Sequence, residues 1–171
     1  MSALLVSIAA VLIAQPVPGD TVAPAVAAFN KACVEVRGDR GAFENVARAQ
    51  GWTPVETNLG NREWVVGFRS DGLIIRLSQY RSETLEGGAI PARICAVDRI
   101  EAGSEWEQKV AALQVDGRPL GASTLPDPEV YQIPASMEVR VWDLADGSRI
   151  HASYIPARSY LELSINYPTG R

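Results

Sequence analysis

The last third of the chain alternates between apolar and polar residues, a pattern that predicts β-strands with one buried face. Between residues 160 and 167, for example, Leu161, Leu163 and Ile165 alternate with polar side chains. Such alternation is typical of antiparallel sheets with one wet face, and the chain has no βαβ repeat that would favour a parallel sheet. The strands expected in this part are 130–133, 137–144, 149–155 and 160–167.

Two more alternating runs, 64–69 and 73–78, flank the turn residues 70–72 and predict a β-hairpin. A further strand is expected at 92–99, where Cys95 and Val97 share a face with Arg93 and Arg99.

The first third of the chain has the period of helices instead. From Asp20 or Thr21 onward, apolar residues recur at spacings of three and four along a face that includes Cys33. Asp39 is a good N-cap for a second helix, which we expect to end at Gly51.

Ser104 and Glu107 form the S-x-x-E pattern of a capping box and predict a third helix. The end of this helix is open, because residues 113–115 could equally be a short strand that enters the turn at Asp116 and Gly117.

These elements predict an α+β fold, with a single antiparallel sheet of six or seven strands and helices packed on one face. The length of 171 residues favours one domain, which we expect to span residues 20–171. Hydrophobic residues make up 47% of the chain, enough to build a core. The formal charge of -4 provides no field that would attract nucleic acid.

Residues 3–14 form a nearly continuous apolar run, followed by Pro16 and Pro18. This run is shorter than the roughly 20 residues that a membrane-spanning helix needs, and its length suits a signal peptide. We therefore predict a signal peptide at residues 1–19, and a mature chain with no stable membrane span. A buried N-terminal helix is the alternative, which the two prolines disfavour.

Cys33 and Cys95 are the two cysteines of the chain. An even count in an exported chain favours a disulfide, which would join the first helix to the strand at 92–99. Two free buried thiols become the better interpretation only if the chain is not exported. The cysteines lack C-x-x-C spacing and His151 is far from both in sequence, so we predict no metal site and no cofactor.

Candidate catalytic residues are few. His151 is the only histidine, and Ser153 follows it on the same face of one strand. No serine lies in a G-x-S-x-G elbow, so we assign no catalytic residue and keep a hydrolase that uses His151 as an alternative.

A binding surface is expected on the face opposite the aliphatic one, because interfaces favour tryptophan, tyrosine and arginine. Alternatively, the two aromatic side chains of this set pack under a loop or against a neighbouring strand. The residues that the alternation places on this surface are Arg76, Tyr80, Arg140, Trp142 and His151.

A helix with a central cysteine, the pair Gly51 and Trp52, and a second cysteine in the strand segment 94–97 resemble small exported bacterial proteins of uncharacterised function. The resemblance covers the chain up to the second cysteine, and it implies no activity and no site residues.

The sequence therefore predicts a periplasmic or secreted protein that binds an envelope protein or a cell-wall component without a cofactor. An envelope hydrolase and a structural or inhibitor module are the alternatives.

Export is expected to remove the segment before about residue 20, because the apolar run suits a signal peptidase and is too short to anchor the chain. N-terminal sequencing of the purified protein should therefore begin near Asp20. Recovery of an intact Met1 from soluble cytosolic material would contradict both the export and the oxidising environment assumed for the cysteines.

Overall fold

The computed structural model describes residues 20–58, 60, 62–83, 89–127 and 133–168. Within these ranges the chain forms a seven-stranded antiparallel sheet with helices packed on one face, so the predicted α+β fold is confirmed. The strands are β1 Thr53–Val55, β2 Trp64–Ser70, β3 Leu73–Glu83, β4 Ala89–Glu101, β5 Gln114–Val115, β6 Arg118–Pro119, β7 Glu138–Asp143, β8 Arg149–Ile155 and β9 Tyr160–Tyr167. The order across the sheet is β1-β2-β3-β4-β9-β8-β7, and β5 and β6 form a separate hairpin.

The helices are short. They are α1 Val22–Phe29, which continues into a π-turn at Asn30–Val34, then α2 Arg40–Ala49 and α3 Trp106–Ala111, and a 3-10 turn lies at Pro156–Arg158. The predicted N-cap of α2 is confirmed, because the Asp39 carboxylate accepts a hydrogen bond of 2.7 Å from the backbone N–H of Ala42.

The two faces of the sheet differ in character. On the face that carries the helices, here called the helix face, Ile75, Val97, Leu163 and Ala152 lie side by side across β3, β4, β9 and β8 and are fully buried. The opposite face, here called the open face, carries most of the polar side chains of the central strands. The hydrophobic core therefore lies between the helix face and the helices.

Cys33 and Cys95 form a disulfide with their Cα atoms 5.4 Å apart, which confirms the predicted pairing. The bond joins the π-turn after α1 to the middle of β4. The Tyr167 hydroxyl donates a hydrogen bond of 2.7 Å to the carbonyl of Cys33, and burial raises the pKa of Tyr167 far above its usual range. A side chain at Gly38, which has φ of 75°, would meet the Tyr167 ring at 2.8 Å, so this position requires glycine.

One sequence prediction needs correction, one open alternative is decided, and two predictions fall outside the described ranges. The capping box is wrong, because α3 begins after Glu105 and no side chain caps it. Residues 114 and 115 form β5 rather than the end of the helix. Most of the strand expected at 130–133, and the predicted signal peptide at 1–19, lie outside the described residues. Among the helices of the described ranges, none is long and apolar enough to cross a membrane.

Loss of the disulfide is expected to lower the free energy of unfolding by about 4 kcal/mol, because the bond closes a long loop and restricts the unfolded chain. Urea unfolding of a Cys33→Ala/Cys95→Ala double variant and of wild type measures this difference. Reductant should destabilise wild type and leave the double variant unchanged. A double variant that unfolds at the same urea concentration as wild type would contradict this role of the disulfide.

Candidate functional site

The five residues expected to form one binding surface lie on two different faces of the sheet. Arg76, Tyr80 and His151 are on the open face, as predicted. Arg140 and Trp142 are on the helix face, because they pair across β7 and β8 with the buried residues Ala152 and Ile150. The structure therefore does not bring the five residues together into one surface.

The expected orientation of β7 is wrong for a physical reason. Its two valines, Val139 and Val141, lie on the open face and are nevertheless buried, whereas the helix face carries Glu138, Arg140 and Trp142. Its backbone pairs with Thr124, whose N–H donates a hydrogen bond of 2.9 Å to the Val141 carbonyl. The segment around Thr124 thus lies along the edge of β7, and alternation alone could not show that the aliphatic side of this strand faces away from the helices.

Trp142 is buried on the helix face. Only 4% of its surface is exposed, and its indole N–H donates a hydrogen bond of 3.1 Å to the carbonyl of Gly121. This bond satisfies the one polar atom of the indole, which allows the ring to be buried without a desolvation penalty.

Arg140 connects β7 to α3. Its Nε lies 3.1 Å and 3.2 Å from the two carboxylate oxygens of Glu107, and Ser123 donates a hydrogen bond to the same carboxylate. Glu107 therefore binds β7 and the loop after β6 instead of capping its own helix. This interaction accounts for both the failed capping-box prediction and the position of Arg140.

An open cavity of about 570 Å³ lies beside Trp142, between the β5–β6 hairpin and the edge of β7. Its apolar wall includes Val115, Leu120 and Leu144 in addition to the indole. The charged side chains around it are Asp116, Arg118, Asp143 and Asp146.

Arg37 holds two sides of this cavity together. Its guanidinium lies 2.6 Å from the Asp116 carboxylate and 3.3 Å from that of Asp146. Asp116 belongs to the turn between β5 and β6, and Asp146 belongs to the turn between β7 and β8. The sequence predicts a turn at Asp116 and Gly117, and no local pattern indicates that the carboxylates of Asp116 and Asp146 share one arginine.

A second polar site lies on the open face. Arg76 of β3 forms an ion pair with Asp98 of β4, and its other terminal nitrogen lies 3.6 Å from the carboxylate of Glu162 on β9. The Asp98 side chain is only 6% exposed, and its Oδ1 has no hydrogen-bond partner among the described residues.

Glu162 lies on β9 opposite the part of β4 that carries Asp98. Burial, together with a hydrogen bond to Asp98 and the charge of that residue, raises the pKa of Glu162 to about 7, although Arg76 opposes the shift. Beside the ion pair of Asp98 and Arg76, Glu162 therefore keeps its proton to a higher pH than an ordinary glutamate does. Desolvation is the largest cause of the shift, and the repulsion between two carboxylates adds to it.

These residues line a groove of about 340 Å³ on the open face. A β-bulge between Val97 and Ile100 interrupts the pairing of β4 with β9, and Arg99 there adopts the left-handed conformation with φ of 62°. The groove also includes Arg69 and Tyr160.

Tyr80 and His151 lie elsewhere on the open face. The Arg62 guanidinium stacks 4.5 Å from the centre of the Tyr80 ring. The Asn166 amide nitrogen lies 3.2 Å from Nε2 of half-buried His151. Burial, followed by the charge of Arg149, lowers the pKa of His151. An amide is neither a nucleophile nor a proton acceptor for His151, and a hydrolase based on this residue stays a hypothesis.

Within the described ranges, no three His, Cys, Asp or Glu side chains are grouped so that they could hold a metal ion. Comparisons of the chain with protein-family models, with curated proteins and with solved structures give no match. The geometry of the cavity and of the groove is therefore the basis for assigning a function.

The raised pKa of Glu162 predicts a specific dependence of stability on pH. The folded protein holds a proton on Glu162 up to about pH 7, whereas the unfolded chain loses it near the ordinary value of 4.5. The favourable contribution of this proton is complete below 4.5 and is lost as the pH rises through 7. In thermal unfolding, a Glu162→Gln variant should therefore gain stability relative to wild type as the pH rises.

A Glu138→Gln variant, which changes an exposed residue of β7, is the matched control, and its stability should follow the wild-type pH profile. If the stability of Glu162→Gln and of wild type changed with pH in parallel, the ionisation of Glu162 would not contribute to the pH dependence of stability.

Proposed function

We propose that the protein is an exported binding protein of the cell envelope, and that the cavity beside Trp142 binds a small, largely apolar molecule with hydrogen-bond donors at one end. The observation that carries this proposal is the cavity of about 570 Å³, which lies within the range of roughly 300 to 1,000 Å³ common for small-molecule sites.

The disulfide supports the exported location. Bonds such as Cys33–Cys95 persist in oxidising compartments and are rare in the cytosol, where thiols are kept reduced. The predicted partner, an envelope protein or a cell-wall component, stays a prediction. The size of the cavity favours a small molecule, or one small group of such a component, as its occupant.

The lining of the cavity determines the chemistry of the ligand. The half-buried Leu120 and Leu144 provide apolar surface, which favours a ligand with an aromatic or aliphatic body. Asp116, Asp143 and Asp146 provide acceptor oxygens around the cavity, and each carboxylate can accept more hydrogen bonds than its arginine partner donates. An amine at one end of the ligand fits these acceptors.

The dye dansylcadaverine has this chemistry, because it joins an aromatic group to a primary amine. We expect its fluorescence to rise saturably when the mature, disulfide-bonded protein is added. Dansylamide, which lacks the amine, should bind at least about tenfold more weakly, because one charge-assisted hydrogen bond is lost.

An Ala122→Trp variant fills the cavity and should weaken binding of the dye by at least about tenfold. An Ala49→Trp variant at the exposed end of α2 is the matched control and should bind as wild type does. Absence of saturable binding, or equal affinity in the two variants, would refute the cavity as the binding site.

A further inference from the structure

The groove on the open face combines three arginines with two acidic residues that are bound to one of them. Arg76 neutralises Asp98 and approaches Glu162. Arg69 and Arg99 are exposed, and neither forms an ion pair with any residue in the part of the chain that the structure describes. The groove thus presents two guanidinium groups that are free to bind a ligand.

The bulge in β4 places the Arg99 side chain in the groove. In a regular strand, residues 98 and 99 would point to opposite faces, and Arg99 would lie against the core. The bulge lets Asp98 and Arg99 both line the groove, while Ile100 returns to the helix face opposite Leu161. A left-handed arginine costs about 1 to 2 kcal/mol relative to the right-handed conformation, so the position is unfavourable for the backbone alone.

The charge balance of the groove depends on Glu162. While this residue holds its proton, Arg69, Arg76 and Arg99 face the two carboxylates of Glu56 and Asp98, so one positive charge is in excess. When Glu162 ionises, the excess disappears. A protonated Glu162 also leaves Arg76 with a single strong acidic partner.

We propose that this groove is a binding site for an oxyanion group, a phosphate or a carboxylate carried by a ligand, which Arg69 and Arg99 hold. Guanidinium groups suit such ligands because their paired N–H donors match the two oxygens of a carboxylate or phosphate. The site is independent of the cavity beside Trp142, since the two share no lining residue.

The surroundings of Glu162 determine how binding depends on pH. Its charged and titratable neighbours are Asp98 and Arg99 on β4, Arg76 on β3 and Tyr160 on β9, and its partner on β8 is the uncharged Ser153. Burial, with the charges of Asp98 and Glu162, raises the pKa of Tyr160, so this hydroxyl stays protonated at neutral pH. His151, two residues before Ser153, is the next residue of β8 on the same face.

Titration with sulfate and with acetate, followed by NMR of the nitrogen-15-labelled mature protein, tests the proposal. Both anions keep a constant charge between about pH 6 and about pH 8, so a change in affinity comes from the protein. Ionic strength is held constant with sodium chloride. We expect saturable shifts of the backbone amides of residues 97–101 near pH 6, and an affinity several-fold lower near pH 8.

Four variants distinguish the site from general attraction of anions. Arg69→Ala and Arg99→Ala should each weaken binding by at least about fivefold, because each removes a charged hydrogen-bond donor. Glu162→Gln should bind near pH 8 as wild type does near pH 6. Arg48→Ala, which removes an exposed arginine of α2, is the matched control and should leave the affinity unchanged.

The comparison of anions also identifies the source of the oxyanion. Tighter binding of sulfate supports a ligand with a phosphate group, and tighter binding of acetate supports a carboxylate. Shifts that do not saturate, equal affinity in Arg99→Ala and wild type, or a wild-type affinity that is the same at both pH values would overturn the proposal. None of these results depends on whether dansylcadaverine binds the cavity.

Discussion

The arrangement of helices and sheet depends on the covalent bond between Cys33 and Cys95. An isolated helix as short as α1, with eight residues, is unstable in water, so its position must come from packing and from attachment to the sheet. The disulfide provides that attachment at the middle of β4, and Tyr167 adds a hydrogen bond from β9 to the same residue. Three distant parts of the chain are therefore fixed at one buried point.

The disulfide also helps to position Arg37, which lies four residues after Cys33 and contacts two residues that line the candidate ligand cavity. Arg37 follows the π-turn that contains Cys33, and its left-handed backbone, with φ of 51°, turns the chain away from the helix axis. From there its guanidinium reaches Asp116 and Asp146, which lie in two turns far apart in sequence. Exposed ion pairs contribute little free energy by themselves, so the fixed position of the backbone near Cys33 matters more than the charges.

The features that the sequence predicts well are those set by neighbouring residues. The hairpin of β2 and β3, the strands β8 and β9 and the Asp39 cap each follow from periodicity or from one local hydrogen bond. The orientation of β7 could not be predicted from alternation, because its aliphatic residues Val139 and Val141 are buried on the open face while the helix face carries Arg140 and Trp142.

The cavity and the groove could not be predicted either, because their residues meet through contacts that are distant in sequence. Glu107 fits a capping box locally, yet it binds Arg140 of a distant strand. Asp98 and Glu162 become neighbours only through the register of β4 against β9, which no local pattern specifies. Arg76 was the one residue of the groove that alternation identified, because its position on the open face depends on β3 alone.

The bulge in β4 shows how one irregularity can serve both the core and a binding site. Without it, the register after Val97 would place Arg99 toward the buried helix face and Ile100 toward the open face. A guanidinium without a partner in the core would cost several kcal/mol, and an exposed isoleucine would lose its burial energy. The left-handed backbone at Arg99 costs about 1 to 2 kcal/mol, which is less than the sum of these two penalties. The bulge is therefore the lower-energy way to keep Ile100 opposite Leu161, and the same change of register places an arginine beside Asp98 in the groove.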